Sequence, residues 1–230
     1  GKIRAKKVEQ PKFSEKDKLQ KLTINIEKKE VNEVYFSLSF KSVSANKKET
    51  AIFDIISHIL GSGSSSLLYK ELKEDLSLVT SIYSSNYSMR HSGVFMISGT
   101  MLHENIDKAI KGIIERIKNI QSLNFNYEQV ERAKNSIISD DLHENETVQG
   151  QAQSIGYLHS LTGNIDSKDE YLNRIKDVTL DEIANVANDF LKVENLNLNF
   201  IFPKDSKINE ESHFLELLNN CFTVTKKLIK

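Results

Sequence analysis

The residues best equipped for chemistry in this chain are six histidines, His58, His91, His103, His143, His159 and His213, one cysteine, Cys221, and a serine cluster at Ser62, Ser64, Ser65 and Ser66. A zinc site that takes two histidines from one helix face needs them four positions apart, as in HExxH or its inverse HxxEH. No two histidines here have that spacing. His103-Glu104 and His143-Glu144 open like HExxH but reach Asp107 and Thr147, and His213-Phe-Leu-Glu216 opens like HxxEH but reaches Leu217. The histidines therefore read as surface residues on polar helix ends, and no metal site is expected. Cys221 has no evident base and lies in a polar C-terminal stretch, which argues against a catalytic thiol. The serine cluster contains Gly-Ser-Gly but no GxSxG after a strand, and no histidine or acid can be assigned to it.

A different role suits the same loop. Glycine and serine expose backbone N–H and C=O groups without bulky side chains, and the strand expected next, Val79 to Tyr87, offers an edge to an extended peptide. That is binding through main-chain hydrogen bonds, not catalysis. The plainer reading, a loop that only turns the chain, fits the residues equally well.

Around these residues, 39% of the 230 positions are hydrophobic, enough to fill a substantial core. The 31 basic residues are balanced by 32 acidic ones, so no long-range field favours nucleic acid or an anionic membrane. A single cysteine cannot form an internal disulfide, so nothing demands an oxidising compartment, and the residues do not otherwise indicate a localisation. No stretch approaches the roughly 20 apolar residues of a membrane-spanning helix, so no membrane partner is expected. The chain begins Gly1-Lys-Ile-Arg rather than with methionine, and it reads as a piece of a longer protein.

The elements that must position the loop follow from periodicity. Residues 1–20 read as a linker or N-terminal arm. Leu22, Ile24 and Ile26, then Val34, Phe36, Leu38 and Phe40, alternate as half-buried strands. Asn46 and Glu49 form a capping-box pattern before a helix bearing Ile52, Phe53, Ile55, Ile56, Ile59 and Leu60, which Gly61 and Gly63 stop. An amphipathic helix and a strand containing Val79, Thr80, Ile82 and Tyr83 come next. Val94 to Met101 reads as a further strand. Ile106, Ala109, Ile110, Ile113, Ile114, Ile117 and Ile120 recur at helical steps. Helices are expected from the Asn126 cap to about His143, over Gln149 to Thr162, and after the capping boxes Ser167/Glu170 and Thr179/Glu182. Leu196 to Phe202 is a last strand, and residues 204–230 read as a tail or interdomain connector with a short helix at Phe214 to Leu218. The order predicts an α+β fold, an antiparallel sheet packed against several helices. No GxGxxG or GxxxxGK[ST] follows a strand, which argues against the parallel nucleotide-binding folds.

The blocks "HILGSGSSSLLYKELKEDLSLVTSIYSS", "SGVFMISGTMLHENIDKAIKGIIERIKNI", "NYEQVERAKNSIISDDL", "EYLNRIKDVTLDEIANVANDFL" and "NLNLNFIFP" resemble the non-catalytic, C-terminal type domain of the insulinase/pitrilysin family of zinc metallopeptidases, over residues 21–203. The resemblance implies homologous sheet-and-helix domains arranged as two bowl-shaped halves around a peptide-digesting chamber. It places zinc in a separate N-terminal domain with an HxxEH motif, which this chain lacks, so the fragment alone is expected to be inactive. The family's substrate-positioning R-x6-Y pair falls here on Lys73 and Thr80, which keep neither the planar fork nor the phenol. That degeneracy is most like the second domain of a four-domain member, whose loop and strand form a substrate-anchoring exosite. The matching positions are His58, Gly61, Gly63, Ser81 and Tyr83.

The resemblance thus implies a non-catalytic part of the chamber wall that binds extended peptide, with other domains of the same chain or a homologous subunit as partners. The alternative is a non-peptidase scaffold homologue acting through protein contacts. An HxxEH motif in the rest of the protein distinguishes the two. A third reading, the partner half of a two-chain peptidase, is opposed by Lys73 and Thr80.

Overall fold

The alternation of small polar and large apolar residues along Val34–Ser42 explains how the sheet forms. Phe36, Leu38 and Phe40 are buried while Tyr35, Ser37 and Ser39 face the other way. In the computed structural model, which describes residues 21–207 and 211–226, this strand is β2. The others are β1 (Thr23–Lys29), β3 (Ser81–Ser88), β4 (Gly93–Met101) and β5 (Asn197–Pro203). They form one five-stranded sheet in the order β1-β5-β2-β4-β3. The helices are α1 (Glu49–Gly61), α2 (Ile106–Gln121), α3 (Tyr127–Glu144), α4 (Val148–Thr162), α5 (Ser167–Asp177), α6 (Leu180–Phe190) and α7 (Glu211–Lys226), with a π-helical segment at Tyr69–Asp75. The fold is α+β. The expected arm, residues 1–20, lies outside the described residues.

The core lies between one face of the sheet and the helices. β2 contributes Phe36 and Leu38, β4 Phe95 and Ile97, and β5 Leu198, Phe200 and Phe202. Against them α1 is buried along nearly its whole length, and α2 buries all six of its isoleucines together with Ala109. Each such side chain contributes about 1.5–3 kcal/mol by leaving water. None of the described helices is long and apolar enough to cross a membrane.

Three features differ from the sequence expectation. The sheet is mixed: β2–β4, β2–β5 and β3–β4 are antiparallel, but β1 runs parallel to β5, which inserts between β1 and β2. Proximity along the chain suggested that β1 and β2 would pair directly, whereas the partner of Ile24 is Leu198, far along the chain. Two of the expected caps are absent. Lys48 caps α1 and Asp166 caps α5, neither through its side chain; at α5, Ser167 donates instead to the Asn164 carbonyl in the preceding turn. The Asn126/Gln129 and Thr179/Glu182 capping boxes do form. Finally, α7 is longer than the expected Phe214–Leu218 helix and buries Phe214, Leu217 and Leu218, with Phe214 stacked on Phe200 at 4.4 Å. The core therefore continues past Pro203.

Candidate functional site

The turn between α1 and β3 is built on contacts that leave no room for larger residues. A Cβ on Gly61 would lie 2.4 Å from the Ser84 nitrogen and 2.9 Å from the Tyr83 carbonyl carbon, so glycine lets the end of α1 rest directly on the backbone of β3. Gly63 has φ +78° with open space around it, so here glycine supplies left-handed backbone instead. Ser66 closes the loop by donating to the Gly63 carbonyl at 2.7 Å. Leu68 and Leu72 are fully buried, and Leu72 packs against Gly112 of α2. The expected amphipathic helix is thus a short π-helical segment, held to α2 by the Glu71–Arg116 ion pair. The Leu78 and Val79 amides then donate to the Leu72 carbonyl, and the chain enters β3.

Between β3, α1, α3 and α5 lies a polar cavity of about 400 Å³, whose lining includes Asp54, His58, Asn86, Asp140, Glu144 and Tyr171. Asn86 of β3 donates to one Asp54 oxygen at 2.8 Å, and the Tyr171 hydroxyl donates to the other at 2.7 Å. One carboxylate therefore joins strand, α1 and α5. Asp54 keeps some surface open to the cavity but is surrounded by protein on most sides. The resulting loss of hydration raises its carboxyl to about 6, against the lowering effect of its two hydrogen bonds. Burial, reinforced by the charge of Asp54, pushes the Tyr171 phenol far above its ordinary range. Burial also lowers the pKa of His58, opposed in part by the negative charge of Asp140.

Asp141, also in the lining, is bridged by Lys168 at 3.0 Å. Asp140 and Glu144 stand one helical turn apart on α3 and have no ion-pair partner among the described residues. Among the described residues, no lysine or arginine lines the cavity. No hydrogen bond joins His58 to a serine, so the site lacks a nucleophile–base pair. Zinc needs three or four converging ligands, and the described residues contain no group of three histidine, cysteine or carboxylate side chains able to hold a metal. The residues present do not fit zinc.

The residues singled out in the sequence separate in space. His58 is on the cavity side with Asp54. Ile82 and Ser84 face the helices, where the Ser84 hydroxyl donates to the Ser57 carbonyl at 2.7 Å. By alternation Ser81 and Tyr83 occupy the opposite face of β3. Ser81 there shares a hydrogen bond with Thr100 at 2.8 Å, and Tyr83 is 48% exposed opposite Ser98. Lys73 lies over the Tyr69 ring at 4.6 Å, and the Thr80 hydroxyl donates to Glu33 at 2.6 Å. Neither lines the cavity. Asp54, Asn86, Asp140, Asp141, Glu144 and Tyr171 were not anticipated. The four-residue spacings Asp54/His58 and Asp140/Glu144 are the signal that a search including carboxylates would have found, whereas nothing local marks Asn86 or Tyr171.

β3 is also an edge strand, hydrogen-bonded only to β4 among the described strands. Its sequence, Ser-Ile-Tyr-Ser-Ser-Asn-Tyr-Ser, contains no charged residue, whereas the other edge strand, β1, ends in Glu27-Lys28-Lys29.

The "Peptidase M16 inactive domain" model matches residues 1–137, more than half of the chain. This chain belongs to that family. The match bears out the resemblance to the insulinase/pitrilysin peptidases and their non-catalytic type of domain. Among relatives, the zinc protease YmxG of Bacillus subtilis, itself uncharacterized, is 24% identical over 203 residues, covering 88% of this chain and 48% of its own length. Two solved structures share the fold. A protease from Helicobacter pylori superposes with a TM-score of 0.78 at 18% identity, covering 86% of this chain and 48% of that one. A peptidase M16 inactive domain from Pseudomonas fluorescens superposes with a TM-score of 0.71 at 15% identity, covering 82% and 45%. The inactive peptidase domain described here thus spans about half the length of the relatives it matches.

Proposed function

We propose that this inactive domain forms part of the wall of a zinc peptidase's digestion chamber and holds an extended stretch of substrate along β3, while zinc and the general base are supplied by an HxxEH motif elsewhere in the protein. The observation that carries the reading is the uncharged outer edge of β3, unpaired among the described strands, in a chain that belongs to a peptidase family. A peptide adding as a further strand gains main-chain hydrogen bonds, with alternate side chains directed to either face of the sheet. Lys73 and Thr80 support a holding role over a catalytic one, since each is engaged locally and neither presents an arginine fork or a phenol.

Two measurements test this. Anisotropy of a labelled extended peptide is expected to show binding to residues 1–230 that disappears when alternate peptide nitrogens are methylated; equal binding of the methylated peptide removes β3 pairing. Zinc content and peptide cleavage are expected in the full-length protein and in neither measurement for residues 1–230. Stoichiometric zinc and cleavage in the fragment would overturn the assignment, and their absence from the full-length protein would favour the scaffold alternative.

A further inference from the structure

We propose that the cavity beside β3 is a subsite for the cationic side chain, lysine or arginine, of a peptide extended along that strand. This rests on the β3-edge reading above and adds a substrate class to it. The cavity and the free edge share Ser84, Ser85 and Asn86, so a peptide paired to β3 passes its opening. An extended peptide sends every second side chain toward the helical layer, and one of these enters the cavity.

The cavity's charge selects the side chain. Asp140 and Glu144 repel each other across one turn of α3, and among the described residues no lysine or arginine of the lining compensates them. Asp141 is already paired with Lys168 and contributes less. Asp54, held by Asn86 and Tyr171, adds a further carboxyl group to the lining, and burial lowers the pKa of His58 beside it. The lining serines, Ser57, Ser62, Ser84 and Ser85, supply hydroxyl and carbonyl oxygens that accept N–H donors. An ammonium or guanidinium on a long apolar stem matches such a site, with its stem against Ile137 and its charge among the carboxylates. A metal ion does not, because the described residues contain no group of three histidine, cysteine or carboxylate side chains able to ligate one. Asp140 and Glu144 are exposed at the rim, so a peptide reaches them without local unfolding.

The test uses residues 1–230 and a short, acetylated and amidated Thr/Val peptide with lysine at its centre, together with twins carrying norleucine or glutamate there. Anisotropy at low ionic strength is expected to rank lysine above norleucine above glutamate, with lysine over norleucine by on the order of tenfold, the size of a charge-assisted hydrogen bond. Asp140→Asn and Glu144→Gln together are expected to erase the lysine preference while leaving the affinity of the norleucine peptide in place. Because both residues are exposed helix positions, the variants keep the fold, which circular dichroism verifies. Equal binding of the three peptides overturns the cationic subsite and leaves the edge reading standing. No binding of any peptide overturns both.

Discussion

The two edges of the sheet solve the same problem differently. Any edge strand presents unpaired backbone groups and risks pairing with another chain, and charged residues are a common protection. β1 follows that pattern, with Glu27, Lys28 and Lys29 over its second half and Ile24 its only buried residue. β3 has no charge along its length, and it is fastened to the helical layer by Ser84 to Ser57, Asn86 to Asp54 and the direct seat of Gly61. A strand that is rigidly held yet left unguarded is prepared for pairing, whereas one that carries charges is closed to it. The difference is what favours the proposed pairing of an extended peptide at β3 over pairing at β1.

The comparison can be broken most severely at the seat of α1 on β3. Gly61→Val places side-chain atoms into the Ser84 backbone and is expected to lower the unfolding free energy by about 3 kcal/mol or more; a urea titration that finds less than half of this would show that the helix can move away from the strand. Next in size is the carboxylate fastening. The folded-state pKa of Asp54, about 6, lies above its ordinary 3.8, so folding favours the protonated acid. Its contribution is fully present below about pH 4 and is lost as pH rises through about 6, an amount of about 2 kcal/mol after allowance for solvent reaching it through the cavity. Asp54→Asn should therefore lack this component between pH 4 and 6. Hydrogen exchange should place the pH-dependent change in β3 and leave β1 unaffected.

A smaller effect is expected at Gly63, where alanine must adopt φ +78° and costs about 1 kcal/mol. If Gly63→Ala proves as damaging as Gly61→Val, the distinction between backbone freedom and close packing is wrong. Least disruptive is a guard placed on the open edge. Tyr83→Lys, at a half-exposed position, should change stability by no more than about 0.5 kcal/mol but weaken binding of an extended peptide severalfold. Unchanged peptide affinity would show that the missing charge on β3 has no bearing on pairing.

Local pattern and family resemblance made much of this molecule legible. The alternation in β2 and β5 was visible because each buries one face, and the isoleucine steps of α2 because a helix against a core must present one apolar stripe. The capping boxes at Asn126 and Thr179 were legible as local chemistry. The same pattern at Asn46 and Ser167 did not form caps, since a four-residue motif does not fix where tertiary packing begins the helix. The candidate site was legible only in part. His58, Gly61 and Gly63 stood out by type, but Asp54 sits within an apolar helix and looks like a solvent-facing position until Asn86 and Tyr171 are brought to it.

The sequence by itself determined the α+β class, the absence of an HxxEH motif and the family, because residue identities, local periodicity and extended blocks of similarity need no knowledge of distant neighbours. Tertiary structure alone decided that β5 separates β1 from β2 in a mixed sheet, that β3 lies at the edge, and that four elements enclose a carboxylate-lined cavity. Those outcomes depend on pairings across most of the chain, such as Ile24 with Leu198 and Tyr171 with Asp54. They are selected by which apolar faces and polar groups can be satisfied together, a condition that no single stretch of sequence records.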